Sequence, residues 1–283
     1  MPPHIFAKII TKISATFHIA PDCEITIEAN PGTLGANALA EFIAIGVNRL
    51  SIGVQSLDDE KLHFLGRRHT AKDAINLINI AGQHNIRLSA DFIYGMPGDT
   101  PDQVIKLCNN INTLGLTHCS MYELTIEPNT PFGKAALNMP SNTEMADMYT
   151  AIQTKLALPR YEVSNYAMSG NECRHNTNIW DGAPYIGIGH GAAGRILINN
   201  QWYDQAGAGA CFLPLAPEAR ATEKIITGMR TMRGVKITPD VHDTINWHWV
   251  ATHPDLLQRT GDRLHATDTG ILTLDHMLIE LIR

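Results

Sequence analysis

Closely spaced cysteines are missing from this chain. Its five cysteines stand at positions 23, 108, 119, 173 and 211, and the nearest two, Cys108 and Cys119, are eleven residues apart. That spacing excludes a CxxC-type zinc or redox motif and a secreted disulfide framework. Long apolar runs are missing as well: no uninterrupted stretch approaches the roughly 20 residues that span a bilayer. There is no lysine or arginine run, and a net charge of −6 gives no general attraction to nucleic acid or anionic membrane. HExxH, GxSxG and Walker-type phosphate-loop patterns are absent, and His242, His248 and His253, though near one another, have no matching cysteine pair for zinc. A reducing cytoplasm is the expected compartment. Met1 to Ala20 is acid-free with Lys8 and Lys12, but it lacks arginine and a clear cleavage signal, so it fits a targeting helix only weakly.

What is present is regular. With 283 residues and 44% hydrophobic content the chain can bury a large core. Ile5, Ile9, Ile13 and Phe17 recur at helical spacing behind Pro2-Pro3. Glu24 to Glu28 alternates with period two and stops at Asn30-Pro31-Gly32, which predicts a strand. Helices are expected over 36–45, 71–83, 101–112 and 143–156, with a short one capped by Asp58; strands are expected over 49–55, 86–94, 117–124 and 161–163.

This alternation predicts a parallel sheet covered by helices, curled toward a barrel or doubly wound. Polar residues collect where the strands finish: Glu28, Gln55, Asp91 with Tyr94, then Glu123 and Thr125. The carboxyl ends of parallel strands open on one face, where active sites are built. Four successive strands contributing to that face favour an arc around one ligand; the plainer alternative is that these residues solvate the loop mouths. Asp91 is the least plain, because an acid between Ala90 and Phe92 in a buried strand is costly unless hydrogen-bonded or liganded.

The strings ITIEANPGTL, GVNRLSIGVQSLDDEKLHFLGRRH, DFIYGMPG, ELTIEPNTPF, RYEVSNYA, CRHNTNIW and YIGIGHGAAG occur in order along the chain. Together they resemble the radical S-adenosylmethionine (SAM) proteins related to oxygen-independent coproporphyrinogen III oxidase, and more narrowly the HemW-like haem-chaperone branch. The resemblance implies an α/β fold: a partial (β/α)6 TIM-like barrel whose strand ends hold SAM beside a 4Fe-4S cluster, plus a small C-terminal winged-helix-like α+β domain. By matching motifs it assigns Glu28, Gln55, Arg67, Asp91 and Thr125 to SAM. The chemistry agrees, since SAM offers a ribose diol and an ammonium group to carboxylates and a carboxylate to an arginine. Without the resemblance, Arg67-Arg68 reads as a solvated pair at a helix end. The family begins with a strand and loop carrying CxxxCxxC, followed by GGGTP, and this chain starts at Met1-Pro2-Pro3, after both. Three close thiolates hold such a cluster while leaving one iron open, so the first strand and the cluster are expected to be missing here, exposing a sheet edge.

The branch also associates an HNxxYW motif with haem. Here it reads His175-Asn176-Thr177-Asn178-Ile179-Trp180, with isoleucine in the tyrosine position. His175 becomes the candidate haem-iron ligand; read alone, His175-Asn176 is a loop hydrogen-bonding pair. Cys173 reads as a buried structural thiol, and the glycines of Tyr185 to Gly191 as either a ligand-approaching loop or a tight turn. The expected organisation is a truncated barrel over 1–204, an Ala/Gly/Pro-rich surface linker over 205–217, and a C-terminal domain over 218–283, without the basic face that DNA binding needs. Two functions follow from the resemblance. The first is a haem chaperone that binds haem and passes it to acceptor proteins of the respiratory chain. The second is a porphyrinogen-decarboxylating radical SAM oxidoreductase, for which the missing cysteines are a stricter obstacle. A homodimer is left open.

Overall fold

Strands that follow one another in the chain are neighbours in the sheet. The computed structural model describes residues 1–206 and 211–283. Five strands, β1 (Thr26–Ala29), β2 (Arg49–Gln55), β3 (Arg87–Tyr94), β4 (His118–Glu123) and β5 (Asn165–Ala167), pair in the order β1-β2-β3-β4-β5. The first four are mutually parallel. Sequential parallel neighbours without a reversal of order are the arrangement of a barrel arc rather than of a doubly wound sheet.

One expectation is corrected at the end of this sheet. The strand predicted over Tyr161 to Val163 is absent from it; the sheet is completed by β5, which runs antiparallel to β4. Glu162 forms only an isolated bridge to Thr231, and its fully buried carboxylate pairs with Arg230 at 2.7 Å. A partner that distant in sequence cannot be read from local periodicity.

Helices α1 (Pro3–Thr16), α2 (Ala36–Ile45), α3 (Asp59–Phe64), α4 (Ala71–Gly82), α5 (Pro101–Ile111), α6 (Pro131–Lys134) and α7 (Asn142–Lys155) alternate with these strands. Their starts are written locally: the Asp58 side chain accepts from Glu60 and Lys61 backbone N–H groups, and Thr70, Thr100 and Ser141 each form a reciprocal capping box.

The sheet has two unlike faces, set by the period of two. Leu50, Ile52, Val54, Leu88, Ala90, Phe92, Cys119 and Met121 are buried, as are Leu39, Leu77, Ile78, Val104 and Ile152 of the intervening helices. Burying each large aliphatic or aromatic side chain contributes about 1.5–3 kcal/mol, and this apolar layer is the core. The other face carries Arg49, Ser51, Ser89, Asp91, His118, Ser120 and Asn165, polar in most positions, with Ile93 and Ala167 as apolar exceptions. Tyr94 and Glu123, counted above with the strand-end polar residues, have the parity of the apolar face. Burial, the Glu123 charge and Tyr149 push the Tyr94 phenol well above its usual range.

Met1–Arg160 with Ser164–Glu172 forms one unit, and Tyr161–Val163 with Cys173–Arg283 a second. The second contains α8 (Arg174–Trp180) and a sheet of β6 (Gly194–Ile198), β7 (Gln201–Ala206) and β8 (Cys211–Pro214) in the order β6-β7-β8, all antiparallel. Sequence reasoning missed this sheet. The segment 205–217, expected as a surface linker, instead contributes to β7 and β8 and reaches the start of α9 (Pro217–Met229); the remainder of that expectation, residues 207–210, lies outside the described residues. Then come β9 (Val235–Lys236), α10 (Pro239–Thr244), α11 (Trp247–Thr252), β10 (Leu257–Thr260), β11 (Arg263–Ala266), α12 (Asp268–Ile271) and α13 (Leu274–Leu281). The hairpin β10–β11 extended by β9, set among these helices, is the winged-helix-like α+β arrangement.

Candidate functional site

The polar face of the parallel sheet is held together by side chains from neighbouring strands. Ser51 Oγ on β2 donates to Asp91 Oδ2 on β3 at 3.2 Å. Ser120 Oγ on β4 lies 3.0 Å from Asn165 Oδ1 on β5, and Ser89 Oγ lies 2.8 Å from His118 Nδ1. Burial raises the Asp91 pKa above 3.8, while hydrogen bonds from Ser120 and Ser51 and the charge of Arg49 pull it down and Glu28 pushes it up again. Glu28 and Arg49 are thus within electrostatic reach of Asp91. Burial also lowers the His118 pKa to about 3, with Arg49 adding to the effect, so its imidazole is neutral. Arg49 is 4% exposed, and its Nε has no hydrogen-bond partner; Thr26 Oγ1, its register neighbour on β1, has none either.

Toward the carboxyl ends of β1 and β2 the chain turns sharply. The β2–β3 register shifts between Ile52 and Gln55, and Gln55 adopts φ 66, the left-handed region. A Cβ on Gly53 would lie 2.9 Å from Gln55 Nε2 and 3.2 Å from Asn30 Oδ1. Glycine there lets both amides lie over the strand without shifting. Arg67 Nη1, from the turn after α3, reaches Asn30 Oδ1 at 3.4 Å.

The structure therefore brings together four of the five residues assigned to SAM. Gln55 and Arg67 lie near Asn30, and Glu28 on β1 acts electrostatically on Asp91 on β3 across the intervening β2. Thr125 lies exposed just beyond β4, and among the described residues no side-chain hydrogen bond joins it to the four. Asn30, read only as part of a strand stop, was the residue missed; its position before Pro31-Gly32 at the end of β1 was the available signal. Two acids, two amides and a guanidinium around a glycine cradle suit a ligand that carries an ammonium group, a diol and a carboxylate together.

The cluster is a different matter. Burial pushes the Cys108 thiol up to about 11 and the Cys119 thiol well above its usual range, whereas iron is held by thiolates. Cys23 is half-buried and Cys211 exposed. Among the described residues no group of three or more His, Cys, Asp or Glu side chains converges, so the residues present do not fit a 4Fe-4S cluster.

In the second unit, the CRHNTNIW segment is helical rather than a loop. Cys173 is buried at the N-cap of α8, and its N–H donates to Tyr161 Oη at 3.3 Å. His175, at the second helical position, is exposed and takes no hydrogen bond among the described residues, which leaves its imidazole available to a metal. Trp180 closes the helix beside Tyr161, ring centroids 6.1 Å apart. The glycine-rich run that follows is a tight turn: Gln205 clasps Gly187 through both its N–H and its C=O at 2.9 Å, which spends the backbone groups a phosphate would use. Among the other histidines, His253 stacks on Trp249 at 4.2 Å and His242 lies 5.2 Å from Trp247. No described helix is long and apolar enough to cross a membrane.

Comparison with known proteins agrees with this geometry. Residues 2–111 match the radical SAM superfamily. Heme chaperone HemW of Escherichia coli is 37% identical over 194 residues, covering 67% of this chain and 51% of that protein, so the match spans about half of the relative's length. HemW of Synechocystis is 30% identical over 300 residues, covering 98% of this chain and 73% of that protein. The bovine radical S-adenosyl methionine domain-containing protein 1, mitochondrial, is 31% identical over 97% of this chain and 67% of its own length. Among solved structures, coproporphyrinogen III oxidase (HemN) of Escherichia coli, a radical SAM enzyme, superposes with a TM-score of 0.76 at 16% identity, over 99% of this chain and 74% of that one. That likeness gives the fold, an α/β radical SAM barrel type with the C-terminal unit included. Motifs, fold and relatives converge: the chain belongs to the HemW-like family of radical SAM proteins.

Proposed function

We propose that this protein is a haem chaperone: it binds haem through His175 and passes it to acceptor proteins of the respiratory chain, in the cytoplasm. The exposed imidazole at the start of α8, without a hydrogen-bond partner among the described residues, carries the reading, since an axial iron ligand must be accessible and held on a fixed element. Similarity to HemW proteins over most of the chain supports it. Ile179 in place of the motif's tyrosine removes a hydroxyl and some stacking area but leaves His175 in place.

The first unit would hold SAM. Asp91 and Glu28 would face its ammonium and ribose, Arg67 its carboxylate, and Gln55 with Asn30 would seat it over Gly53. When a cluster is bound, it supplies the electron that cleaves SAM; no cysteine set in this chain fits one, so the binding residues act here without it. The second reading is an oxygen-independent coproporphyrinogen III oxidase-like enzyme, favoured by the fold shared with HemN. The two are separated by titrating haemin into the full chain and into His175→Ala. The chaperone reading expects a shifted Soret band that the variant loses. An identical spectrum in both proteins removes His175 from the site. Formation of vinyl product from coproporphyrinogen under anaerobic reduction with SAM would replace the chaperone reading with the oxidase.

A further inference from the structure

The C-terminal end of α8 opens on a second feature that the histidine does not explain. Trp180, Gly182, Trp202, Lys224, Lys236 and Arg263 line a cavity of about 220 Å³. Two indoles face three cations across it, and Asp181 is the one lining carboxylate. One face of Trp202 is covered by the Arg220 guanidinium at 4.2 Å, a cation–π contact that holds the ring in place. Gly182 keeps the space open: a Cβ there would press to 3.1 Å of Lys224 Cγ.

Of the three cations Lys236 is the loosely held one, whereas Arg263 Nη1 donates to Gly234 O at 2.8 Å. Lys224 Nζ lies 2.8 Å from Asp240, Arg263 Nη1 is 3.8 Å from Asp181, and Lys236 Nζ is 3.8 Å from Asp262. Asp181 is already taken by Arg233 at 2.8 Å. The volume is below the roughly 300–1,000 Å³ of pockets that enclose a whole ligand, so the cavity takes one edge of something larger. Trp180 follows His175 by five positions in α8, about 7.5 Å along the axis and about 140° around it.

We propose that this cavity receives the propionate edge of haem, with Trp180 and Trp202 against the macrocycle and Lys224, Lys236 and Arg263 on the carboxylates. The proposal rests on the haem-binding reading and adds a specificity to it: the acid form of the porphyrin is preferred over its ester. The test is a titration of the full chain with haemin and with haemin dimethyl ester, repeated on Lys236→Gln, Arg263→Gln and His175→Ala. Haemin should bind about tenfold or more tighter than the ester. Either glutamine variant should shrink that ratio while leaving the Soret position unchanged; His175→Ala should move the Soret band and keep the ratio. Equal affinity for acid and ester, or a ratio that survives both glutamine variants, overturns the proposal. Metal-free protoporphyrin and its dimethyl ester, followed by fluorescence, separate the two readings. Retained preference for the acid without any Soret shift would keep the cavity and remove the histidine ligand, whereas no binding of either porphyrin removes both. Lys236 is exposed and only loosely paired, so its variant folds even if Arg263→Gln does not.

Discussion

Asp91 is subject to two opposed demands. Its burial raises its pKa above 3.8, so the native state keeps a proton that the unfolded chain releases. More protons on the native state mean that stability falls as pH rises from 3.8 through the raised folded value, and the deficit persists at neutral pH. Asp91→Asn removes the titration while still accepting from Ser51, so the variant should have a higher urea midpoint than the parent at neutral pH and a smaller difference near pH 4. The same change removes a charged partner for SAM and should weaken its binding at least about tenfold by calorimetry. A variant less stable than the parent at neutral pH would mean that Asp91 is a structural anchor rather than a ligand residue held at a cost. Asp91 was legible in sequence because an acid amid Ala90, Phe92 and Ile93 breaks a buried pattern. Its support was not. Ser51, Ser120 and Arg49 are ordinary strand residues until register places them beside it. Tyr94 and Glu123 were grouped with the strand-end polar residues because position along a strand was read without its parity.

At the scale of elements, the parallel unit is written in its helix starts. Thr70, Thr100 and Ser141 cap α4, α5 and α7, each with its N3 residue closing the box. Ser141→Ala should cost about 1 kcal/mol, read as a lower midpoint with an unchanged denaturant slope. A loss below a few tenths of a kcal/mol would mean that packing of Met148 and Ile152, not the cap, sets the stability of α7. Apolar periodicity and turn residues placed most helices and strands of this unit to within a residue or two. The sheet β6-β7-β8 was missed for a physical reason that is also instructive. Asn199 and Asn200 adopt φ 49 and 65, the paired left-handed conformation of a two-residue hairpin turn. The Asn-Asn signal was not read, because the flanking runs Gly194–Ile198 and Gln201–Ala206 do not alternate cleanly with period two. Alanine, glycine and proline frequencies describe a linker and a short edge strand equally well.

Across the whole molecule, the cysteines decide how far the family's chemistry extends to this polypeptide. Cys23, Cys108 and Cys119 belong to the first unit, Cys173 and Cys211 to the second. Cys108 and Cys119 lie in the apolar core, where ionising a thiol is costly and a cluster would have to displace packed side chains. Anaerobic reconstitution with iron and sulfide should therefore leave iron at background after desalting. Calorimetry should still detect SAM, bound through Glu28, Gln55, Arg67 and Asp91, but more weakly than a cluster that chelates its amino and carboxylate groups would hold it. Binding without cleavage is the signature that the cradle persists independently of the iron. Stoichiometric iron retention, with 5′-deoxyadenosine released on reduction, would show that cysteines far apart in sequence and separately buried can be regrouped, and it would return radical chemistry to this chain. Failure to bind SAM at all would mean that the residues around Gly53 keep their geometry for the fold, and haem handling through α8 would then be the activity left to test.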